Sequence, residues 1–355
     1  MFYTVVSFML LFLFIALGIF LAGNLIITAF SLVSRNKKLF VYLLVCLSVF
    51  FFIISLPLIN TYSSTLAILF HIIAALLLGL SSQLMLFGLL FYLISFFKFK
   101  KKLLAKIALG LSLIFFLLGL YNAFYPRVKT IVLDDWLKEN KVVHLSDLHL
   151  GYFHGVKYLD RVVKKVNSLE ADVVIISGDL FDGNDKDIAK FIESLSKFKN
   201  PTIFVYGNHD VYLSDESVGS VISQAGLMAL SDEARVINDL EIIGFDYLSR
   251  EDSNIRRKID NLLVEKTYPR IVVNHVPVDR AEAKALEANL MLSGHAHRGQ
   301  IFPLSLIVRL MYGKYSYGLE NYEGMSTYTS AGTGTWGPPL RTLFPGEIIF
   351  FQGIK

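Results

Sequence analysis

Residues 1–129 of this 355-residue chain contain no aspartate and no glutamate. The same stretch carries ten basic residues, Arg35, Lys37, Lys38, Lys98, Lys100, Lys101, Lys102, Lys106, Arg127 and Lys129. All 30 acids therefore fall in residues 130–355 against 34 − 10 = 24 bases, a net of −6 there within a chain of net +4. The basic balance belongs to the N-terminal third and gives no support to nucleic-acid binding. Cysteine is as scarce: Cys46 is the single one, so no intrachain disulfide exists, and cysteine usage cannot place the chain in a redox compartment. Internal repeats and low-complexity linkers are missing too. The N-terminus is uncharged until Arg35 and its first apolar run is too long for a cleaved leader, so we expect no removable signal.

What fills the acid-free third is apolar. At 54% hydrophobic residues the chain is too apolar for one soluble domain. Apolar segments at 4–33, 39–59, 66–97 and 103–125 are each long enough to cross a hydrocarbon core needing about 20 helical residues, which predicts four spans. The basic clusters 35–38 and 98–106 lie in the first and third connections, whereas 60–65 is uncharged. By the positive-inside rule the clustered side is cytoplasmic and everything after Tyr125 lies outside, with Arg127 and Lys129 counting weakly the other way. Within the spans only His71 is ionisable, read as facing a neighbouring helix in preference to marking an ion path.

From Ile131 onward short apolar runs alternate with polar, helix-like stretches, the texture of an α/β domain. Strands are predicted at 141–146, 172–177, 202–206, 241–245, 270–275, 289–293, 326–331 and 346–351. Helices are predicted at 156–169, 185–198, 216–225, 253–265 and 279–288. Pro126 marks the boundary, giving a membrane anchor at 1–126 and a second domain at 127–355.

The run Val142 to Gly151 stops in two metal-seeking side chains, Asp147 and His149. Residues two apart in an extended segment share a face, so both can address one point, and such a pair suits zinc, manganese or iron. Alone, Asp-x-His is more often the mark of a turn with a capping Asp and an incidental His. The pattern recurs, however. Asp179 follows one predicted strand with Asp182 three residues on; Asn208, His209 and Asp210 follow the next; His275 follows a third; His295 and His297 follow a fourth. Ligand sites of open α/β sheets gather at the carboxyl ends of strands, so one site can collect them all. Gly178, Gly207 and Gly294 each precede a polar residue and allow tight turns there. His144 reads as a strand residue and His154 as a loop residue.

Taken in order, Asp147-Leu148-His149, Gly178-Asp179, Gly207-Asn208-His209-Asp210, His275 and Gly294-His295-Ala296-His297 resemble the motif set of the calcineurin-like metallophosphoesterases over about residues 140–351. The chain is also similar to the membrane-associated branch of that family, through the Gly299-Gln300 pair and the runs Ser330 to Gly334 and Pro338 to Arg341. It departs at Arg298, where many members have glycine. The resemblance implies a four-layer α/β/β/α sandwich carrying two divalent ions of manganese, iron or zinc. One ion falls to Asp147, His149, Asp179 and His297, the other to Asp179, Asn208, His275 and His295, with Asp179 bridging. Two close cations need such a shared carboxylate, and together they clamp a phosphate and acidify water for in-line attack. His209 would be the general acid or a transition-state donor, Asp210 would orient its ring, and Asp182 would be a supporting residue only.

Two tyrosine-rich apolar stretches, 301–317 and 322–328, follow the last motif. Leu304, Leu306, Ile307, Leu310, Met311 and Tyr312, with Arg309 and Lys314 interleaved, suit either a membrane surface or an ordinary amphipathic core helix. The expectation is thus an N-terminal four-helix transmembrane region followed by an α/β phosphoesterase domain, in the cell membrane with its catalytic domain extracytoplasmic. Its expected partners are the lipid bilayer and a phospholipid or lipid-linked phosphate, with no nucleic acid. A soluble nucleotide or sugar phosphodiester remains an alternative substrate. A non-catalytic metal-dependent module is a further rival, yet none of the expected ligands is missing.

Overall fold

The computed structural model describes residues 2–62, 64–97, 99–133, 135–183, 187–247 and 268–353, and the helix expected at 253–265 lies outside them. The chain divides into two compact units, Met1–Tyr121 with Gly337–Thr342, and Asn122–Trp336 with Leu343–Lys355.

The first unit holds helices α1 (Phe2–Phe30), α2 (Arg35–Thr61), α3 (Thr65–Ile94) and most of α4 (Lys101–Phe124). Three stretches, Arg35–Ile59, Thr65–Ile94 and Lys101–Phe124, are long and apolar enough to cross a membrane. Four spans were expected. Among the described residues the first helix, Phe2–Phe30, contributes the shorter apolar stretch Ala16–Phe30 beside these three. Leucine, isoleucine and phenylalanine point outward along α2 to α4, as on helices solvated by hydrocarbon. His71 of α3 is buried and meets Ser55 of α2, Nδ1 to Oγ 2.9 Å, so it serves a neighbouring helix as expected.

The second unit carries twelve strands in two mixed six-stranded sheets among the described residues. They are β1 (Arg127–Leu133), β2 (Lys141–Leu145), β3 (Val173–Ser177), β4 (Thr202–Val205), β5 (Met228–Leu230), β6 (Glu233–Ile237), β7 (Leu240–Gly244), β8 (Arg270–Val273), β9 (Leu290–Ser293), β10 (Gly318–Tyr322), β11 (Met325–Thr329) and β12 (Glu347–Gly353). One sheet runs β1-β12-β2-β3-β4-β5 and the other β10-β11-β9-β8-β7-β6. In the first, β2, β3, β4 and β5 are parallel neighbours; in the second, β7, β8, β9 and β11 are. All eight predicted strands are present with ends shifted by at most two residues.

Side-chain alternation splits each strand between two cores. Val142, Val173, Ile175, Ile203 and Val205 of the first sheet share a buried cluster with Ile242, Ile271, Val273, Leu290 and Leu292 of the second. Their neighbours Val143, Leu145, Val174, Ile176 and Phe204 pack with the helix Val156–Asn167 instead. That helix buries Tyr158, Leu159, Val162, Val163 and Val166, one face at helical spacing. On the far side of the second sheet, Ile243, Val272 and Met291 pack with Ala283 and Leu286. The parallel strands β2, β3, β4, β8 and β9 end where the predicted ligands begin.

Candidate metal centre

The centre is built from turns. β2 ends at Leu145, so Asp147 and His149 are not extended residues sharing a strand face, as their spacing had suggested; they sit in left-handed conformation at φ 51° and 46°. Asp179, His295 and His297 do the same at φ 53°, 64° and 47°. Such conformations cost L-residues roughly 1–2 kcal/mol each and are tolerated best by short polar side chains. The neighbouring turns over-determine them. Asp147 N–H donates to the Gly178 carbonyl at 3.0 Å, His149 N–H to the Asp179 carbonyl at 3.0 Å, and Gly334 N–H to the Asp147 carbonyl at 2.9 Å. Gly294 is obligatory here, because a Cβ on it would overlap Ser146 and the Asp147 carboxylate.

All seven predicted ligands converge. His149 Nε2 lies 3.1 Å from His297 Nε2 and 3.7 Å from Asp179 Oδ2, and His297 Nε2 lies 3.3 Å from Asp147 Oδ1. Asp179 Oδ2 also lies 3.1 Å from His275 Nε2. That nitrogen is 3.2 Å from Asn208 Oδ1, itself 3.0 Å from His295 Nδ1. Donors about 2.0–2.2 Å from a tetrahedral ion stand about 3.3–3.6 Å apart, and the separations here, 3.0–3.7 Å, bracket that spacing. Among the described residues the ligand atoms of Asp147, His149 and His297 lie within 4.8 Å of one another, as do those of His149, Asp179 and His209 and those of Asp179, His275 and His295. Divalent cations fit this donor set, and Asp179 belongs to two of the three groups.

The charges agree. Burial works against ionisation of Asp179, yet His275, His149 and His209 together hold its carboxyl well below the usual carboxylate range. Against the same burial, Asp179 and Asp147 push His275 up to about 9, while Asp182, Asp179 and Asp147 raise His149. Asp147 itself is pushed up, chiefly by burial. His275 thus holds a proton at neutral pH that a divalent cation would displace, which makes metal loading acid-sensitive.

His209 lies at the edge of this cluster, its ring 4.8 Å from that of His149. Its backbone N–H donates to Asp179 Oδ1 at 2.8 Å, and its Nδ1–H donates to the Asp182 carbonyl at 2.8 Å. Burial and the neighbouring His149 lower its pKa. Asp210, expected to orient that ring, has another job. Its buried carboxylate accepts the N–H groups of Phe181 and Gly207 at 2.9 Å and of Leu180 at 3.4 Å, tying together the two turns that carry Asp179 and Asn208. The reason is local: in the helical turn Asn208–Val211 adjacent side chains point about 100° apart, so Asp210 faces the backbone while His209 faces the site. Burial and the Asp179 charge push Asp210 up to about 7. Asp182 matters more than expected, since its carboxylate Oδ1 also stands 3.4 Å from His149 Nδ1.

His144 is a strand residue as read, buried with Nε2 2.7 Å from Ser177 Oγ. His154, a loop residue, is also buried; its Nε2 accepts the Thr335 N–H at 3.0 Å. Arg298 turns its guanidinium onto the rings of Phe344 and Tyr317, 3.3 and 3.9 Å from their centroids. Sequence reasoning missed the aromatic rim. Tyr212 and Trp336, 67% and 53% exposed, flank the His209 ring at 5.0 and 5.9 Å. Lone aromatics in loops carry no periodic signal that would have found them.

A sequence profile of the calcineurin-like phosphoesterases matches residues 140–299. The chain is 34% identical over 258 residues to an uncharacterized metallophosphoesterase of Helicobacter pylori, covering 70% of each chain. It is 32% identical over 268 residues to a transmembrane protein with metallophosphoesterase domain of Danio rerio, covering 68% of this chain and 61% of that one. The solved structure of a dimetal phosphatase from Danio rerio matches 54% of this chain and 87% of its own at 12% identity and a TM-score of 0.35.

Proposed function

The chain belongs to the calcineurin-like metallophosphoesterases, metal-dependent enzymes of phosphate esters, and from that premise we propose that it is a membrane-anchored two-metal phosphodiesterase or pyrophosphatase acting on a lipid-linked or envelope phosphate ester. The observation that carries the two-metal reading is Asp179 Oδ2, placed 3.7 Å from His149 Nε2 and 3.1 Å from His275 Nε2, between two groups of donors. On this reading Asp147, His149, Asp179 and His297 hold one ion and Asp179, Asn208, His275 and His295 the other. Ions bound there supply Lewis acidity toward the phosphate and lower the pKa of water. The chain's own residues do the rest. Asp182 aligns His149 through its carboxylate and His209 through its carbonyl, His209 gives a proton to the leaving oxygen, and Asp210 fixes the spacing of the Asp179 and Asn208 turns.

We read residues 1–126 as a four-span anchor and 127–355 as the catalytic domain, in which the cluster shared by both sheets and the helices on their outer faces support a four-layer α/β/β/α sandwich. The basic stretches 35–38 and 98–106 support a cytoplasmic side for both loops and an extracytoplasmic catalytic domain. The spans favour a lipid-borne substrate over a soluble one. Purified full-length protein, loaded in turn with manganese, iron and zinc, should hydrolyse phosphodiesters in mixed micelles faster than the same headgroups free in solution. Equal rates on both would favour the soluble nucleotide or sugar phosphodiester, and no hydrolysis with any metal would leave a binding module.

A further inference from the structure

The helix Leu304–Tyr312 buries none of its residues. Leu306, Ile307, Leu310 and Met311, 56%, 51%, 87% and 68% exposed, fall at the spacing of one helical face. The opposite side carries Ser305, Val308 and Tyr312, which are half-buried, and the Tyr312 ring stands 6.4 Å from that of His295. An ordinary core helix is therefore excluded for this stretch.

Nor is the helix loose. Before it, Gly299 at φ 73° packs so closely on the backbone of Leu304 and Ser305 that a Cβ would overlap them. Gln300 brackets Trp336, donating from Nε2 to its carbonyl at 2.8 Å and accepting its N–H at 3.0 Å. After it, the Tyr315 carbonyl accepts from Thr329 Oγ1 at 2.8 Å and Lys314 Nζ donates to the Asn321 carbonyl at 3.1 Å. Both ends are tied to the catalytic unit while the apolar face is held outward. Contiguous apolar faces of this kind on a soluble surface mark an interaction site. The charge names the occupant: no acid occurs between Glu287 and Glu320, and the helix itself carries Arg309, while Arg298 lies on the rings of Phe344 and Tyr317 and Lys314 stands 3.9 Å from Glu320. A basic, apolar helix in a chain with three membrane-length apolar helices is complementary to anionic lipid headgroups over acyl chains.

We propose that Leu306, Ile307, Leu310 and Met311 insert into the headgroup–acyl boundary of the bilayer, so that a lipid-borne phosphate ester reaches the metal centre along this helix without leaving the membrane surface. Where the helix lies stands on its own; what it delivers rests on the lipid-substrate reading.

The test uses full-length protein in vesicles of phosphatidylcholine with phosphatidylglycerol, in a Cys46→Ser background. A nitroxide at Leu310→Cys is compared with one at Val236→Cys on β6, where the native side chain is 42% exposed. The 310 label should collide with dissolved oxygen and lose access to a water-soluble nickel chelate relative to the 236 label, since a polar reagent is kept out of an apolar phase. A chelate that reaches 310 as freely as 236 overturns the insertion. So does exclusion of both reagents, which would mean that a protein surface, a second copy included, covers the face. Each large aliphatic side chain kept out of an apolar phase lowers partition by roughly ten- to a hundredfold. The double variant Leu306→Ser, Leu310→Ser should accordingly lose at least about tenfold in turnover of vesicle-borne phosphodiester while hydrolysing bis-p-nitrophenyl phosphate unchanged. Equal turnover of vesicle substrate by both proteins overturns delivery. A wild type active only on the soluble ester refutes the substrate reading and leaves the label depth to decide the helix.

Discussion

Replacing His209 with alanine should separate proton donation from metal binding, because the two halves of this residue do different work. Its backbone N–H, 2.8 Å from Asp179 Oδ1, survives any substitution. Among the described residues its side chain makes one hydrogen bond, Nδ1–H to the Asp182 carbonyl at 2.8 Å, whose net contribution is about 1 kcal/mol. A domain stable by about 5–15 kcal/mol tolerates that loss, so the metal complement should persist. Since the Nδ1 proton is committed to a carbonyl, Nε2 can donate only when the ring is an imidazolium. Burial and the neighbouring His149 depress the pKa, so the donor form grows as pH falls and is lost as pH rises through a value below the usual 6.5. An alkyl leaving group needs that proton and should lose about 10²–10⁴-fold in kcat, which is about 2.7–5.5 kcal/mol. A p-nitrophenolate leaves without it and should lose less than about tenfold. The assay is kcat against pH for an alkyl and a nitrophenyl diester, with metal content measured beside each point, because acid also displaces ions from the imidazoles. Equal losses on both esters with metals retained would refute donation and make His209 a phosphate-positioning residue.

Asp179→Asn should leave at most one ion per chain and activity below detection, since Asn208, His275 and His295 would then offer no carboxylate; two ions by elemental analysis would remove the bridge. His144, buried at the β2–β3 pairing and held down to about 3, must stay neutral in the fold, whereas the unfolded ring titrates near 6.5. Stability is thus present above pH 6.5 and lost as pH falls toward 3, by about 2 kcal/mol between pH 7 and 5. His144→Gln should show a correspondingly smaller acid shift of its thermal midpoint, and an unchanged shift would clear His144. A fusion of alkaline phosphatase at Lys355 should be active, because reversing the bundle would carry Lys98 to Lys106 outward; a C-terminus protected from protease in wall-stripped cells would place the domain in the cytoplasm.

The eight strands read from sequence are the eight inner strands of the two sheets, and the four that escaped, β1, β5, β6 and β10, are their four edges. An inner strand of a sheet covered on both sides is apolar on both faces and shows as a run, as in Val173–Ser177, where every residue is buried. An edge strand such as Glu233–Ile237 is mostly exposed and its composition merges with the surrounding loops. Pairing with a neighbour, which no local window contains, makes it a strand.

The cluster of candidate ligands was legible for a different reason. Carboxylates, imidazoles and an amide at the ends of apolar runs are chemically typed, and their order along the chain survives any error about backbone shape. The backbone was in fact misjudged at Asp147 and His149, whose convergence comes from left-handed turns locked by Gly178, Asp179 and Gly334 and not from strand alternation. Direction, in contrast with type, was not legible. Asp210 beside His209 looked like its partner, yet one helical step aims the carboxylate at three backbone N–H groups, and the ring is held by a main-chain oxygen of Asp182 that has no side-chain signature. Which side chains gather can therefore be read from a sequence such as this one, whereas backbone contacts and the outward face of a helix, as at Leu306 to Met311, depend on which way the chain turns. That division also orders the experiments. A substitution at a ligand tests chemistry that the residue types already announce, but only variants at Asp182, Asp210 and Leu310 test the geometry.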